Sequence, residues 1–411
     1  MIRGRGAAPR LLAKAPDFRR LFLATVASSV GTWLATVALV IDVYNRTGSA
    51  SWVSALLIVE FLPIVVVGLV AGSLLDRLPR RSVLIAADLA RMVVFAALPF
   101  AGGALEIVLL AAVAGVATSF FRPAVYAGLP NLVGDDDLPR ANGLLNSADN
   151  LTWAIGALAG GALVAASGPD LCYWLNALSF LASAFLILRI RGRLEEEREP
   201  GGETGWHDLG EGFRTVRASR PLVAVLVAWC LAVVAQGSVN VSEVVLAKGV
   251  FSAGDFGYAV LLAATGVGLS VGSLAAPEWV AERGLRAPYG ASITVMAVAT
   301  AAAAVSPNVW VAAPFVAVSG FGNGIAVICN GLVVQRGAPD RVRGRVFTFL
   351  MSATYAIFGL GMVAAGPLTN ALGAREVWWI SAAVFALAGL VGYTLLGREV
   401  DEAAAPETAV S

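Results

Sequence analysis

At 411 residues, 58% hydrophobic and only 14% charged, with a mean hydropathy of +0.77, this chain is not a soluble domain, in which roughly a quarter of residues carry charge. Its formal net charge of +1 hides an uneven placement of charge, and Cys172, Cys230 and Cys329 lie too far apart for a disulfide framework or a metal-ligand spacing. What remains is an all-α membrane protein.

A helix needs about 20 apolar residues to cross a bilayer core. The first such run, 20–42, is too long for a signal-peptide core and shows no cleavage site, so it reads as a retained span. Eleven more follow at 52–75, 83–101, 106–128, 143–166, 171–190, 222–245, 255–276, 288–305, 309–333, 346–369 and 376–397. Connections are short except at 191–220, which is charged and Gly-rich. The expected organisation is therefore an N-terminal six-helix bundle at 1–190, a cytoplasmic linker at 191–220 and a C-terminal six-helix bundle at 221–411 ending in a short cytoplasmic tail.

With the N-terminus inside, 24 of the 29 Lys and Arg residues fall on cytoplasmic segments and 3 on outer loops. That asymmetry predicts a multi-pass protein of the cell (inner) membrane with both termini cytoplasmic. The halves carry matching marks. Gly72-Ser73-Leu74 ends the second span and Gly272-Ser273-Leu274 the eighth, while Asp137-x-x-Arg140 opens the fifth and Asp340-x-x-Arg343 the eleventh. Offsets of 200 and 203 point to two pseudo-symmetric six-helix units, a duplication common in transporters.

Charges inside a bilayer cost about 2.5–3.5 kcal/mol each on insertion scales, so each needs an account. Arg122 and Asp149 lie at equal depth on consecutive antiparallel spans, ~7.5 Å to the cytoplasmic side of their midpoints, and are expected to pair. Glu60, ~4.5 Å from the middle of its span, has no partner in its own hairpin, which suits a proton carrier. These three are the proton-coupling candidates, although a permanent ion pair that rigidifies the first half accounts for Arg122 and Asp149 more readily, and a local hydrogen bond accounts for Glu60 equally well. Asp88 and Arg91 read as an extension of the cytoplasmic charge cluster, Asp42, Glu243 and Lys248 as solvated outer ends, and His207 as a surface residue.

The turn after the second span, GSLLDRLPRRSVL, concentrates four charges. Arg77, Arg80 and Arg81 satisfy the inside-positive bias, but Asp76 faces the negative end of its own helix dipole and calls for a partner elsewhere. The expected one is the start of the eleventh span, around Arg343–Arg345, which would make the turn a cytoplasmic latch.

This turn resembles the loop signature of the major facilitator superfamily at Gly72, Leu74, Asp76, Arg77, Arg80, Arg81 and Leu84, with Pro79 where glycine is usual. The stretches FRRLFLATVASSVGTWLATVALVIDVYNRTGSA, FFRPAVYAGLPNLVGDDDLPRANGLLNSADNL and DRVRGRVF extend the resemblance over nearly the whole chain, toward the branch that holds macrolide-efflux proteins and the enterobactin exporter. The resemblance implies the twelve-helix major facilitator fold, with Gly72, Asp76, Arg77, Arg80 and Arg81 as the gate motif. It also implies a central cavity lined by spans one, four, seven and ten. On those spans Ser29 with Trp33, Gln236 with Asn240, and Asn323 with Asn330 recur at one-face spacing and are the substrate-cavity candidates, although bonding between helices accounts for them equally well. Two departures stand out. Gly31-Thr32 replaces the branch's Gly-Asp, and the fifth span keeps the packing glycines Gly156, Gly160 and Gly161 but lacks the antiporter proline.

The implied activity is proton-coupled efflux of an amphipathic small molecule by alternating access, with the small molecule, protons and the lipid bilayer as partners. A lysophospholipid translocator of the same fold and a transport-inactive receptor or scaffold stay open. No nucleotide loop, metal cluster or nucleophile–base set occurs, so no enzyme activity, cofactor, metal, nucleotide or nucleic acid is expected.

Overall fold

A computed structural model of the chain describes residues 7–70, 78–134, 137–194, 206–339 and 341–396, with side chains of 7–10, 68–70, 150 and 206–209 left undescribed. The described residues form helices and no strand. Twelve of the helices are long and apolar enough to cross a membrane, in the places expected.

In the first half, α1 (Ala7–Lys14) precedes the spans α2 (Pro16–Thr47), α3 (Ala50–Val70), α4 (Arg80–Ala97), α5 (Ala104–Gly128), α6 (Leu138–Ser167) and α7 (Asp170–Leu188). After α8 (Trp206–Ala218) come α9 (Arg220–Val245), α10 (Gly254–Arg283), α11 (Arg286–Val305), α12 (Val309–Gly337), α13 (Arg343–Leu372) and α14 (Ala374–Leu395). Local chemistry explains the boundaries. The first span opens with proline in its first turn, where a missing N–H costs nothing, and stops at Gly48, whose φ of 61° is the left-handed conformation glycine tolerates. Its N–H closes the helix on the Tyr44 carbonyl at 2.8 Å.

Two compact units emerge: 1–48 with 55–204, and 49–54 with 205–411. The opening turn of α3 groups with the second unit because the Ala50 N–H donates to Asn370 Oδ1 at 2.9 Å. Within the first unit α2 packs on α6 and α7, and α4 on α5 and α7. Within the second, α10 packs on α12, α11 on α12 and α14, and α9 on α13 and α14.

Hydrocarbon surroundings remove the hydrophobic drive for one helix to seek another, so close backbone contact must supply the packing. Glycines supply it. A Cβ added at Gly156 would lie 2.7 Å from Trp33 Cβ, and one at Gly160 2.6 Å from the Leu34 carbonyl oxygen. These two therefore seat α6 on α2, with Gly161 buried beside them. The second unit uses the same device more heavily. At Gly268, Gly272, Gly320 and Gly324 an added Cβ would strike the main chain of the facing helix, which locks α10 to α12. Large apolar side chains such as Leu274, Phe100 and Trp310 point outward, as a lipid solvent allows.

The stretch read as a linker contains a helix. α8 lies on α13: Glu211 pairs with Arg345, Phe213 meets Phe349 edge-on at 5.6 Å, and Gly212 sits against the Arg345 carbonyl. Arg345 was an expected partner for Asp76, and here Glu211 engages it.

Candidate functional site

The first unit encloses a polar cavity of about 320 Å³ bordered by Ser29, Trp33, Arg91, Arg122, Asp149 and Trp153, among others. Arg122 on α5 and Asp149 on α6 pair, as their equal depth predicts. Asp149 Oδ2 receives the guanidinium and Oδ1 the Ser29 hydroxyl at 3.0 Å, so three spans meet on one carboxylate. The pair is open: the Arg122 side chain is 61% exposed and that of Asp149 21%. Trp33 and Trp153 stack along the wall with ring centroids 5.1 Å apart, and the buried Trp153 Nε1–H has no partner.

Behind this open pair sits a closed one. Asp88 and Arg91, expected to extend the cytoplasmic charge cluster, are buried at 0% and 3% exposure. Arg91 donates to Asp88 Oδ1 at 2.5 Å and to the Ala87 carbonyl at 3.3 Å, while its guanidinium lies 4.3 Å from both the Phe121 and Phe180 ring centroids. The reason is depth. α4 begins at Arg80, which places the pair ~12–16 Å along the helix, on the face covered by α5 and α7.

Glu60 is half-buried where α3 crosses α5, at Gly115, whose added Cβ would lie 3.1 Å from Glu60 Cα. Among the described residues its carboxylate makes no hydrogen bond or ion pair, and it does not border the cavity of Arg122 and Asp149.

Of the gate motif, Gly72, Asp76 and Arg77 lie outside the described residues. Arg80 donates to the carbonyls of Ala127 at 2.9 Å and Leu194 at 3.0 Å, and Arg81 donates to that of Leu188. These arginines tie the start of α4 to carbonyls at the ends of α5 and α7, which carry the negative end of each helix dipole, and to the segment that follows α7.

The second unit holds a different cavity, about 410 Å³ and almost wholly apolar, bordered by residues of α9, α12 and α13 that include Trp229, Asn330, Phe347, Met351 and Phe358. Among the four polar candidates on α9 and α12, Asn330 alone reaches it. Gln236 and Asn240 are spent on each other, Nε2 to Oδ1 at 2.8 Å, and Asn323 is half-buried away from the cavity.

The outer ends also differ from expectation. Asp42 and Glu243 are buried at 5% and 3% exposure because the helices run beyond the apolar runs and neighbours cover them. Asp42 accepts from Arg46 Nε at 2.7 Å and from the Tyr173 hydroxyl at 3.0 Å, whereas Glu243 Oε1 has no partner. Lys248 pairs with Asp255. The side chain of His207 lies outside the described set.

Residues 10–410 match the family described as transmembrane secretion effectors. The chain belongs to this major facilitator family. It is similar to the multidrug efflux pump Tap of Mycolicibacterium fortuitum, 29% identical with 94% of this chain and 97% of that one covered. Tap of Mycobacterium tuberculosis H37Rv is also 29% identical, over 94% and 95% of the two chains. Among solved structures, nucleoside transporter NupG superposes with a TM-score of 0.73 at 12% identity, covering 92% of this chain and 98% of its own. A bacterial homologue of the human lysosomal transporter Spinster gives 0.75, also at 12%, covering 99% and 100%. At such identities the structural likeness speaks for the fold alone. Family and fold are those of multi-pass membrane transporters, not of enzymes.

Proposed function

We propose that the protein is a secondary active exporter of amphipathic small molecules, driven by protons and working by alternating access. In this reading it lies in the cell membrane with both termini cytoplasmic. The similarity to multidrug efflux pumps along 94% of the chain carries this reading. The chemistry of the two cavities supports it.

Coupling is assigned to the first unit. Asp149 holds Arg122 and the Ser29 hydroxyl at one point. A proton on that carboxylate would cancel its charge, release the guanidinium and loosen the tie between three spans. Glu60, without a partner among the described residues, is a second candidate carboxylate, and it can take a proton without breaking an ion pair. Substrate contact is assigned to Trp33 in the first cavity and to the apolar cavity of the second unit. Gly72, Asp76, Arg77, Arg80 and Arg81 form the cytoplasmic gate, and the 24-to-3 distribution of cationic residues sets the orientation.

The test is efflux of a fluorescent dye such as ethidium from proteoliposomes, with and without an imposed pH gradient. Gradient-dependent transport is expected from the native protein and is lost in Asp149→Asn and Glu60→Gln, while dye binding stays within a few-fold. Transport indifferent to the gradient would exclude proton drive, and unchanged gradient-driven efflux in Glu60→Gln would remove that residue from the mechanism.

A further inference from the structure

Asn330 is 8% exposed, and among the described residues neither its amide nitrogen nor its amide oxygen has a hydrogen-bond partner. It borders a cavity of about 410 Å³, within the range of pockets that bury small molecules. The surrounding wall is aliphatic and aromatic, and no charged side chain contributes to it. A buried amide with both ends unmade is costly, so native interiors rarely keep one. The other polar side chains of this wall do not satisfy it. Thr354 and Tyr355 also border the cavity, yet Asn330 remains unpaired.

We propose that Asn330 is the specificity-determining residue of a subsite in the second unit for an uncharged, flat, largely apolar group that carries a donor and an acceptor side by side on one edge, as a cis lactam does. The cavity wall takes the apolar rings: Trp229, Phe347 and Phe358 offer aromatic surface and Met351 adapts to their outline. The Asn330 carboxamide donates to the lactam carbonyl and accepts from the lactam N–H, which share one edge of the ring, and so makes the two bonds it otherwise lacks. A ligand of the same shape without the amide would leave both atoms unmade, and such mismatches are where polar sites discriminate most strongly. A fixed charge is excluded on the same grounds, because nothing in the wall would compensate it. This inference rests on the export reading, since it names the part of the exported molecule that the second unit holds.

Phenanthridinone and phenanthrene test it, being close in shape and differing in the cis lactam. Each is titrated against the native protein and Asn330→Leu in lipid nanodiscs, with tryptophan fluorescence as the readout and empty discs as the blank. The ratio of the two dissociation constants cancels partitioning into lipid. Asn330→Leu is expected to shift that ratio against phenanthridinone by about fivefold or more, the scale of one to two neutral hydrogen bonds, and to leave phenanthrene binding unchanged. Trp229→Ala should weaken both probes alike. An unchanged ratio, equal weakening of both probes by Asn330→Leu, or no binding of either probe to the native protein would overturn the proposal. Asn330→Ala repeats the comparison if the leucine variant does not fold. Binding is read without transport, so dye efflux on the same preparation separates a failed subsite from a failed export reading.

Discussion

Two ion pairs lie side by side in the first unit, and their burial predicts opposite consequences for one chemical change. Asp88→Asn leaves the Arg91 guanidinium charged among Phe121, Phe180 and apolar neighbours, where the side chains of the native pair are only 4% and 0% exposed. Breaking a buried pair by removing one partner costs about 3–5 kcal/mol. Asp149→Asn removes the same charge from a pair whose side chains are 61% and 21% exposed, where solvent screens the attraction and about 0.2–1 kcal/mol is the usual range. The folding equilibria of the two variants should therefore differ by at least about 2 kcal/mol, some thirtyfold. Unfolding by SDS in mixed micelles, followed by tryptophan fluorescence, measures the difference. Asp88→Leu combined with Arg91→Met should recover much of the loss, since a packed apolar substitute for a buried pair is often neutral. If Asp149→Asn destabilises the protein as much as Asp88→Asn does, the open pair is a structural strut and its assignment to coupling fails.

Two further outcomes are expected. Gly212→Leu would push a side chain into the Arg345 carbonyl, whose oxygen lies 2.6 Å from an added Cβ, and should lift α8 from α13. Limited proteolysis should then cut between residues 195 and 219 several times faster than in the native protein, and an unchanged rate would mean that α8 does not depend on this seat. For topology, a cysteine at Gly202 should react with impermeant thiol reagents only after cells are opened and one at Ser252 in intact cells; the reverse pattern overturns the assigned orientation.

The twelve spans were legible because a bilayer tolerates few substitutes for an apolar run. Arg122 with Asp149 was legible for a related reason: two charges in adjacent spans at equal depth have little else to pair with. Asp88 and Arg91 were misread because their i,i+3 spacing beside Arg80 and Arg81 looks the same whether the helix face meets water or α5 and α7. Only the packing decides that. Gln236 and Asn240 show another limit, since a four-residue spacing that aims two groups at one cavity also lets them bond each other. Asn323 and Asn330 share a face at a seven-residue spacing, yet one misses the cavity. Asn323 lies in the stretch where Gly320 and Gly324 press α12 against α10, and Asn330 lies beyond it.

The repeat, in the end, copies the backbone more faithfully than the chemistry. Asp42 and Glu243 stand 201 residues apart near matching ends of α2 and α9, and both are buried. In the first unit Arg46 and Tyr173 satisfy the carboxylate; the residue 201 beyond Arg46 is Ala247, and Glu243 Oε1 is left unmade. The cavities diverge in the same direction. The first is bordered by Arg91, Arg122 and Asp149, whereas the second has no charged side chain in its largely apolar wall and holds one unpaired amide. On the proposed reading, the unit that keeps its charges would change shape when a proton arrives, and the one without them would hold an oily molecule without competing for that proton. Duplicated helices that need only small residues at their contacts leave such side chains free to differ, because the packing does not depend on them.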